Sequence, residues 1–493
     1  ERDWSSDVCS SDLMGVSKKI ITVIMAVASV AFSLSPVNSA EVESYCNDMT
    51  SFYNIWKEKY VVKDEYVTNQ EQFYVWYSEE RYNGDNVSVP VTVSEAHGYG
   101  MLITASMSEY DEQSKKYFDG MYRFYKAHTS DIGPNLMSWQ QSDNGTELID
   151  GAENGSMTGG YCDSAADGDM DIAYALLIAD KVWGSEGEID YYSEALAVIN
   201  DIMTYEINHE NWTISLGDWV YECDSNDIFY SATRASDFIV QYMPVFAEVT
   251  GDQRWMNVYN STYKIINDMV LEYETGLLPD FIIKDKSGKY VPAPAGFLEG
   301  EYDGAYSYNS CRIPWRISMD YIINKNENAL LFSQAINSFI INESGGDPWE
   351  IKAGYSVDGT QLEDYNDLCF TAPFLVAAKC GGNLEWEESL RDCIVNYGDD
   401  VYYGDTIKML CLIVAADKWI VPEYNTGLKG DINDDGSIDN NDIVLLRDYL
   451  TGKSDISVEY YGEIDILNDN KIDIFDMIAL KRIILNEIEI SGS

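Results

Sequence analysis

The feature that most limits what this chain can fold into is a helical apolar period. It recurs, with little strand-like alternation, from about Cys46 to Pro422. Ile172, Leu176, Ala179 and Trp183 fall at i, i+4, i+7 and i+11, one stripe down a helix. Similar stripes run through Ser193–Tyr205, Asp237–Val249, Met256–Tyr273, Trp315–Ile323, Ala329–Ile341, Phe370–Ala378 and Thr406–Trp419, separated by polar, Gly- and Asp-rich loops. A helix with an apolar stripe must bury it against another element, so about ten helices of about a dozen residues predict an all-α domain of helical pairs. A toroid of such pairs is one way to close the set around an open cleft. No short internal repeat is visible in this part.

Composition narrows the partners. A net charge of −52 excludes nucleic acid and anionic membranes and fits solubility, calcium binding or a cationic substrate. Aromatic residues make up 13%, with 37 Tyr and 12 Trp, which suits either a Tyr-rich core or a cleft that stacks flat rings on sugars. The nine Cys include no CxxC pair and no Cys/His cluster. Apart from Cys9 they are scattered through helical segments and read mostly as buried thiols rather than a disulfide framework.

Met14 is followed by Lys18 and Lys19, an apolar run from Ile20 to Leu34, and Pro36-Val-Asn-Ser-Ala40. This is the order of a secretory signal peptide over residues 14–40, too short for a membrane anchor, and it predicts export without membrane insertion. Residues 1–13 carry none of that character and read as a non-native leader. The helical domain is expected over 41–423, as a monomer. A minimal linker follows at 424–428, and then a compact acidic module at 429–493, with 15 acidic side chains against 6 basic ones.

In that module Asp431, Asn433, Asp435, Ser437, Asp439 and Asp442 stand at positions 1, 3, 5, 7, 9 and 12 of a calcium loop, with Gly436 at the sharp turn. An apolar helix with Ile443, Val444, Leu446 and Leu450 follows. A second copy begins 34 residues later: Asp465, Asp469, Asp473 and Asp476 take positions 1, 5, 9 and 12, and Lys471 position 7. Leu467 removes the position-3 oxygen and should weaken this site. Asn470 replaces the turn Gly and tolerates the left-handed conformation. Two loops in tandem, each ending in Asp and leading into one helix, resemble a type I dockerin over about 429–488. The resemblance implies Ca²⁺ at two sites and a cohesin of a scaffold protein as partner. It also implies contact through loop positions 10 and 11: Asn440 and Asn441, then Ile474 and Phe475. The halves differ, so symmetric dual binding is not assumed.

Three motifs carry chemistry. Ser94-Glu-Ala-His-Gly-Tyr-Gly-Met101 sets a carboxyl beside small residues and a ring. Ala165-Ala-Asp-Gly-Asp-Met-Asp-Ile-Ala-Tyr-Ala-Leu176 places Asp167, Asp169 and Asp171 where ordinary helix N-terminal work is also open to the latter two. Tyr308-Asn-Ser-Cys-Arg-Ile-Pro-Trp-Arg316 is the third. Together they resemble glycoside hydrolase family 8, with Ala96 and Ala166 as departures. The resemblance implies an (α/α)6 barrel, cofactor-free inverting endo-hydrolysis of a β-linked polysaccharide, Glu95 as general acid, and Asp167 as the carboxylate at the cleavage subsite. The Asp that serves as base in one subgroup is Asn309 here. A second subgroup with Asn takes its base from a loop Glu just upstream, and Ala295-Gly-Phe-Leu-Glu-Gly-Glu-Tyr-Asp-Gly304 resembles that loop. Glu299 is the expected base, with Glu301 and Asp303 as alternates.

Inversion needs an acid and a base about 6.5–9.5 Å apart, and an acid whose pKa is raised. Trp139, Trp212 and Trp219 sit in polar loops as candidate sugar platforms, each equally readable as core. Tyr308, Asn309, Arg312 and Tyr403 match further cleft positions of the family. His97 reads as structural support for the acid loop, since His128 and His209 show no ligand spacing with it. β-1,4 or mixed β-1,3-1,4 glucan is the favoured substrate because the dockerin implies a plant-fibre degrader, with chitosan and xylan as alternatives. A catalytically dead carbohydrate-binding component is the reading from another class, invited by Asn309.

Overall fold

The structure is a computed structural model. It describes residues 39–151, 155–398, 400–422, 424, 430–433, 438–453, 464, 466 and 472–484. The signal-peptide segment and the leader lie outside these residues, apart from the last two positions of the former. Contacts divide the chain into two units, residues 1–244 with 253–422 and residues 245–252 with 423–493.

Among the described residues, twelve helices precede Pro422: α1 (Ser39–Tyr60), α2 (Ser94–Ser106), α3 (Ser114–Ala127), α4 (Ala166–Trp183), α5 (Tyr191–Asp201), α6 (Tyr242–Thr250), α7 (Arg254–Tyr273), α8 (Ile313–Asn324), α9 (Glu327–Glu343), α10 (Leu368–Gly381), α11 (Leu384–Asn396) and α12 (Tyr402–Ala415). Their burial alternates. In α2, α4, α10 and α12 nearly every residue of the first three turns is buried, and in α6 and α8 most of the first two turns, whereas α1, α3, α5, α7, α9 and α11 keep one face in water. A helix apolar all round belongs inside, and one with a single stripe belongs outside. The buried helices pack on each other (α2 on α4 and α12; α10 on α8 and α12), α1, α3, α5, α9 and α11 each pack on a buried neighbour, and α7 reaches α8 through the Tyr259 and Tyr263 hydroxyls on Asp320. This is the (α/α)6 barrel that the family resemblance implies, and it agrees with the all-α domain of paired helices expected from the helical period.

The predicted helices are present with small shifts. The Thr406–Trp419 stripe stops as helix at Ala415, because Asp417 turns left-handed (φ 56°). The stripe still serves the core, since Trp419 packs its ring on Tyr174 and Trp315. Among the described residues the sparse strand signal hid ten short antiparallel strands: β1 (Val61–Lys63), β2 (Phe73–Val75), β3 (Val89–Val93), β4 (Gln140–Asp143), β5 (Leu148–Asp150), β6 (Ile207–Asn208), β7 (Thr213–Ile214), β8 (Thr233–Arg234), β9 (Phe281–Lys284) and β10 (Tyr290–Pro292). They form sheets β1-β2, β3-β4-β5, β6-β7 and β10-β9-β8. At two to five residues each they are too short for alternation to show. All lie in connections that lead from a half-exposed helix to the start of a buried one. The elaborated end of the barrel is therefore where the buried helices begin.

Two glycines set how closely α2 and α4 meet there. A Cβ on Gly98 would sit 2.6 Å from Asp171 Cβ and 3.0 Å from the Gly168 carbonyl oxygen; one on Gly168 would sit 2.5 Å from Ser94 Oγ and 2.8 Å from the Glu95 nitrogen. Backbone meets backbone at this crossing, which brings the first turns of both helices together.

The C-terminal module is described in part. α13 (Asn440–Leu450) and α14 (Ile474–Ile484) pack around Ile432, Leu446, Ile464 and Leu480. Asp439 caps α13, and Asp442 returns to the Asp439 amide to complete a capping box.

Candidate active site

The three motifs converge at the first turns of the buried helices. Glu95 opens α2, Asp167 opens α4, and Asn309 and Arg312 lie in the turn that leads into α8. Arg312 is buried and bridges them. Its Nη1 donates to Glu95 Oε2 (2.6 Å), Asp167 Oδ2 (2.9 Å) and Tyr99 Oη (3.0 Å); its Nη2 donates to Asn309 Oδ1 (3.2 Å). Asn309 Nδ2 donates in turn to Glu299 Oε2 (2.7 Å). A continuous path thus runs from Glu95 through the guanidinium and the amide to the loop carboxylate.

The ion pairs form a ladder. Asp167 and Asp171 are one turn apart on α4, and Arg312 and Arg316 are one turn apart at the start of α8. Arg316 Nη1 donates to Asp171 Oδ1 (2.9 Å), where Tyr242 Oη also donates (2.9 Å). Both members of this inner pair are fully buried, so removing one would strand a charge at a cost of about 3–5 kcal/mol. Asp171 is therefore tied to a specific cation rather than only serving the helix end. Asp169 accepts from the Met137 amide (2.7 Å) and fixes the connection before α4.

Electrostatics separates the two carboxylates nearest Arg312. The Glu95 side chain is 18% exposed, but protein crowds it on its other sides. Burial raises its pKa to about 7, Arg312 opposes this, Asp167 adds to it, and the Tyr402 hydroxyl, which donates to Oε1 (3.3 Å), opposes it. For Asp167 burial also opposes ionisation, but the charges of Arg312 and Arg234 and the bond from Arg312 outweigh it and hold the pKa below the usual carboxylate value. One group can carry a proton near neutrality while its neighbour stays charged, the division expected of an acid and an electrostatic stabiliser.

The loop acids differ in occupation. Asp303 is buried, and its carboxylate accepts from the amides of Leu298 (2.7 Å), Glu299 (3.1 Å) and Gly300 (2.8 Å). These bonds shape the turn that carries Glu299. Glu301 is exposed beyond that turn. Phe297 packs with Trp219 and Phe229 on a cluster of Leu216, Val220, Ala232, Phe281 and Ala293. Trp219 is thus half-buried and buttresses the Glu299 loop.

Trp139 lies beside the start of α2: its carbonyl accepts from the Ser94 amide (2.9 Å), and the residue is 48% exposed. Trp212 closes the β6–β7 turn in the left-handed conformation (φ 59°) with its ring against His209, and among the described contacts none links it to Glu95, Asp167 or Glu299. Tyr308 is exposed, and its Oη donates to Asp367 Oδ2 (3.0 Å). Tyr403 Oη donates to the Tyr308 carbonyl (2.5 Å), and its ring lies 5.8 Å from the Arg312 guanidinium. His97 is fully buried against Phe124, and burial pushes its pKa down to about 3, so it stays neutral.

Two residues of the site carried no usable signal in the sequence. Tyr402 precedes the residue that the family resemblance picks out, yet it is the one that reaches Glu95. Asp280 Oδ1 accepts from Ser307 N (3.0 Å), Ser310 N (2.7 Å) and Ser310 Oγ (2.6 Å), and so braces the turn that carries Asn309. Only the Tyr-Tyr pair at the start of a helix hinted at the first; nothing marks Asp280.

No group of three or more His, Cys, Asp or Glu side chains able to hold a metal is gathered among the described residues. In the C-terminal module Asp435, Ser437, Asp465, Asp469 and Lys471 lie outside the described residues. Of the first loop, Asp431 and Asp442 are buried, and Asp442 Oδ1 reaches back to the Ile432 amide (2.7 Å), so the two ends of the loop meet. Asp473 and Asp476 repeat the Asp439–Asp442 capping contact, with the Asp473 amide donating to Asp476 Oδ2 (2.9 Å). The donors brought together are hard oxygens, the set calcium takes. Among the described residues the eight cysteines present are free thiols.

A barrel of paired helices that sets a carboxyl with a raised pKa beside a carboxylate held below its usual value fits a glycoside hydrolase. The chain belongs to the family described as Glycosyl hydrolases family 8, which matches residues 18–417, and it carries a dockerin type I domain at residues 429–485. It is 42% identical over 370 residues to a beta-glucanase of Niallia circulans, covering 74% of this chain and 83% of that one. It is 29% identical to Endoglucanase A of Acetivibrio thermocellus, covering 73% and 72%. Among solved structures, a beta-1,3-1,4-glucanase from Paenibacillus sp.X4 superposes with a TM-score of 0.69 at 39% identity, covering 79% of this chain and 96% of that one. A cold-adapted family 8 xylanase at 16% identity and a TM-score of 0.61 shares the fold.

Proposed function

We propose that this chain is an inverting endo-β-glucanase, acting on β-1,4 or mixed β-1,3-1,4 glucan and docked on an extracellular scaffold. The observation that carries the reading is the Glu95–Arg312–Asn309–Glu299 path, which sets two carboxyl groups on either side of a fixed amide. Glu95, protonated near neutrality, gives its proton to the glycosidic oxygen as the bond to the anomeric carbon breaks. Glu299 takes a proton from water, and the oxygen attacks that carbon from the opposite face. Asn309 cannot act as a base; it orients Glu299. Asp167, kept ionised by Arg312, faces the positive charge that develops on the sugar. Solvent then reprotonates Glu95 and deprotonates Glu299.

The substrate follows the beta-glucanase and endoglucanase relatives. Chitosan and xylan draw less support, since the xylanase likeness is one of fold. A dead barrel is disfavoured because the loop acid stands beside Asn309. The dockerin reads as a calcium-dependent plug for a cohesin. Ca²⁺ would be held by the oxygens of Asp431, Asn433, Asp435, Ser437, Asp439 and Asp442, and at a second, weaker site by the 465–476 loop. Secretion is read from the 14–40 segment.

The test is a pair of variants on lichenan and carboxymethyl-cellulose. Glu95→Gln should abolish reducing-sugar release while oligosaccharide still binds. Glu299→Gln should lose activity that azide restores with formation of a glycosyl azide. The same rescue in Glu301→Gln instead would move the base two residues along the loop, and release by Glu95→Gln would overturn the acid.

A further inference from the structure

Beyond the residues around Arg312, a row of exposed rings leads away from the site. Tyr308 adjoins Asn309. Its hydroxyl meets the Tyr365 hydroxyl at 3.1 Å, and Tyr365 is 46% exposed. The next residue, Asn366, ties down the far end of the row. Its Nδ2 donates to the carbonyls of Pro348 (3.2 Å) and Ile351 (2.7 Å), on either side of Trp349. Its own carbonyl accepts from Tyr397 Oη (3.2 Å). Trp349 and Tyr397 lie parallel, 5.4 Å apart at 10°, and Trp349 is 47% exposed. The turn that holds Trp349 is fixed by Asp347, which accepts from the Trp349 amide (3.0 Å).

Topology puts these rings at the right end. Trp349 and Tyr365 lie in the connection from α9 to α10 and Tyr397 at the start of that from α11 to α12, both of which lead into buried helices at the open end of the barrel. A large ring left this exposed yet locked from behind is an unusual use of surface. Tyr397 covers one face of the indole, and the backbone bonds fix its turn, so little entropy remains to lose when a flat apolar face settles on the other side.

We propose that Trp349, backed by Tyr397, is a distal sugar platform that extends the cleft and holds the chain of a long β-glucan several units from the bond being cut. The inference rests on the endo-β-glucanase reading. Tyr308 and Tyr365 continue the surface between the platform and the catalytic carboxylates, so occupant and direction follow from continuity with that site. The platform touches no reacting atom. It contributes to binding of polymer and leaves the chemical step alone.

The experiment compares Trp349→Ala and Trp349→Phe with wild type on polymeric lichenan and on the shortest oligosaccharide that wild type cleaves. Trp349→Ala should raise KM on polymer by about five- to tenfold with kcat nearly unchanged, and Trp349→Phe should restore most of it. Neither variant should alter kcat/KM on the short substrate. Equal losses of Trp349→Ala on both substrates, or no change on either, would overturn the platform. Tyr397→Phe, which keeps the stacked ring, should bind polymer as wild type does; a loss there equal to that of Trp349→Ala would also count against stacking. A wild type that cleaves no glucan would remove the functional reading and the platform together, whereas an active wild type with an unaffected Trp349→Ala removes the platform alone.

Discussion

Replacing Tyr402 by Phe should move the alkaline limb of the pH profile upward. The hydroxyl donates to Glu95 Oε1 at 3.3 Å, so it stabilises the charged form of the acid and opposes the burial that lifts its pKa to about 7. Hydrolysis needs Glu95 protonated, so kcat/KM falls as pH rises through that value. Without the hydroxyl the neutral form gains and the pKa rises. The bond is long, so about 0.5–1 kcal/mol is at stake, a shift of about half a pH unit. The ring itself should stay in place, because it packs edge-on against Tyr60 and Tyr77 through carbon atoms that Phe keeps. The assay is kcat/KM for reducing-sugar release on lichenan from about pH 5 to 9. A limb that stays where it was, or moves down, would refute the reasoning, since a downward shift means that Tyr402 favours the protonated acid.

Gly168→Ala should gain about 0.5–1 kcal/mol of helix propensity and lose about 1–3 kcal/mol to overpacking, because the new Cβ meets not only Ser94 Oγ but also the Ser94 and Glu95 backbone, which cannot rotate aside. The melting temperature should fall and activity at 25 °C should drop at least about tenfold as Glu95 shifts against Asp167; a variant as stable and active as wild type would show that the crossing has slack. Chelating calcium from the full chain should abolish capture by cohesin and leave hydrolysis of soluble glucan intact, and cohesin capture that persists in chelator would remove the metal from the docking interface.

The helical class and the two modules were legible in the sequence because each depends on local periodicity or on a run of residues that folds as one unit. Which helices lie inside was not, since the one-face stripe read over 172–183 belongs to a helix buried nearly all round. So were Glu95, Asp167 and Arg312, whose neighbours within one motif fix their place at a helix start. The spacing even held the ion-pair ladder, as Asp167 with Asp171 and Arg312 with Arg316, each one turn apart. What the sequence left open was decided by closure of the barrel. Asp303 and Glu299 look alike as loop acids; only the folded turn spends one on three backbone amides and leaves the other against Asn309. Tyr402 and Tyr403 are adjacent, and helix geometry sends one to the acid and the other to the Tyr308 carbonyl. Trp212, Trp219 and Trp349 each have a polar residue beside them, yet one caps a hairpin, one buttresses a loop and one stands open to solvent. Local sequence sets which way a helix faces, whereas the meeting of loops dozens or hundreds of residues apart depends on where the barrel brings their ends.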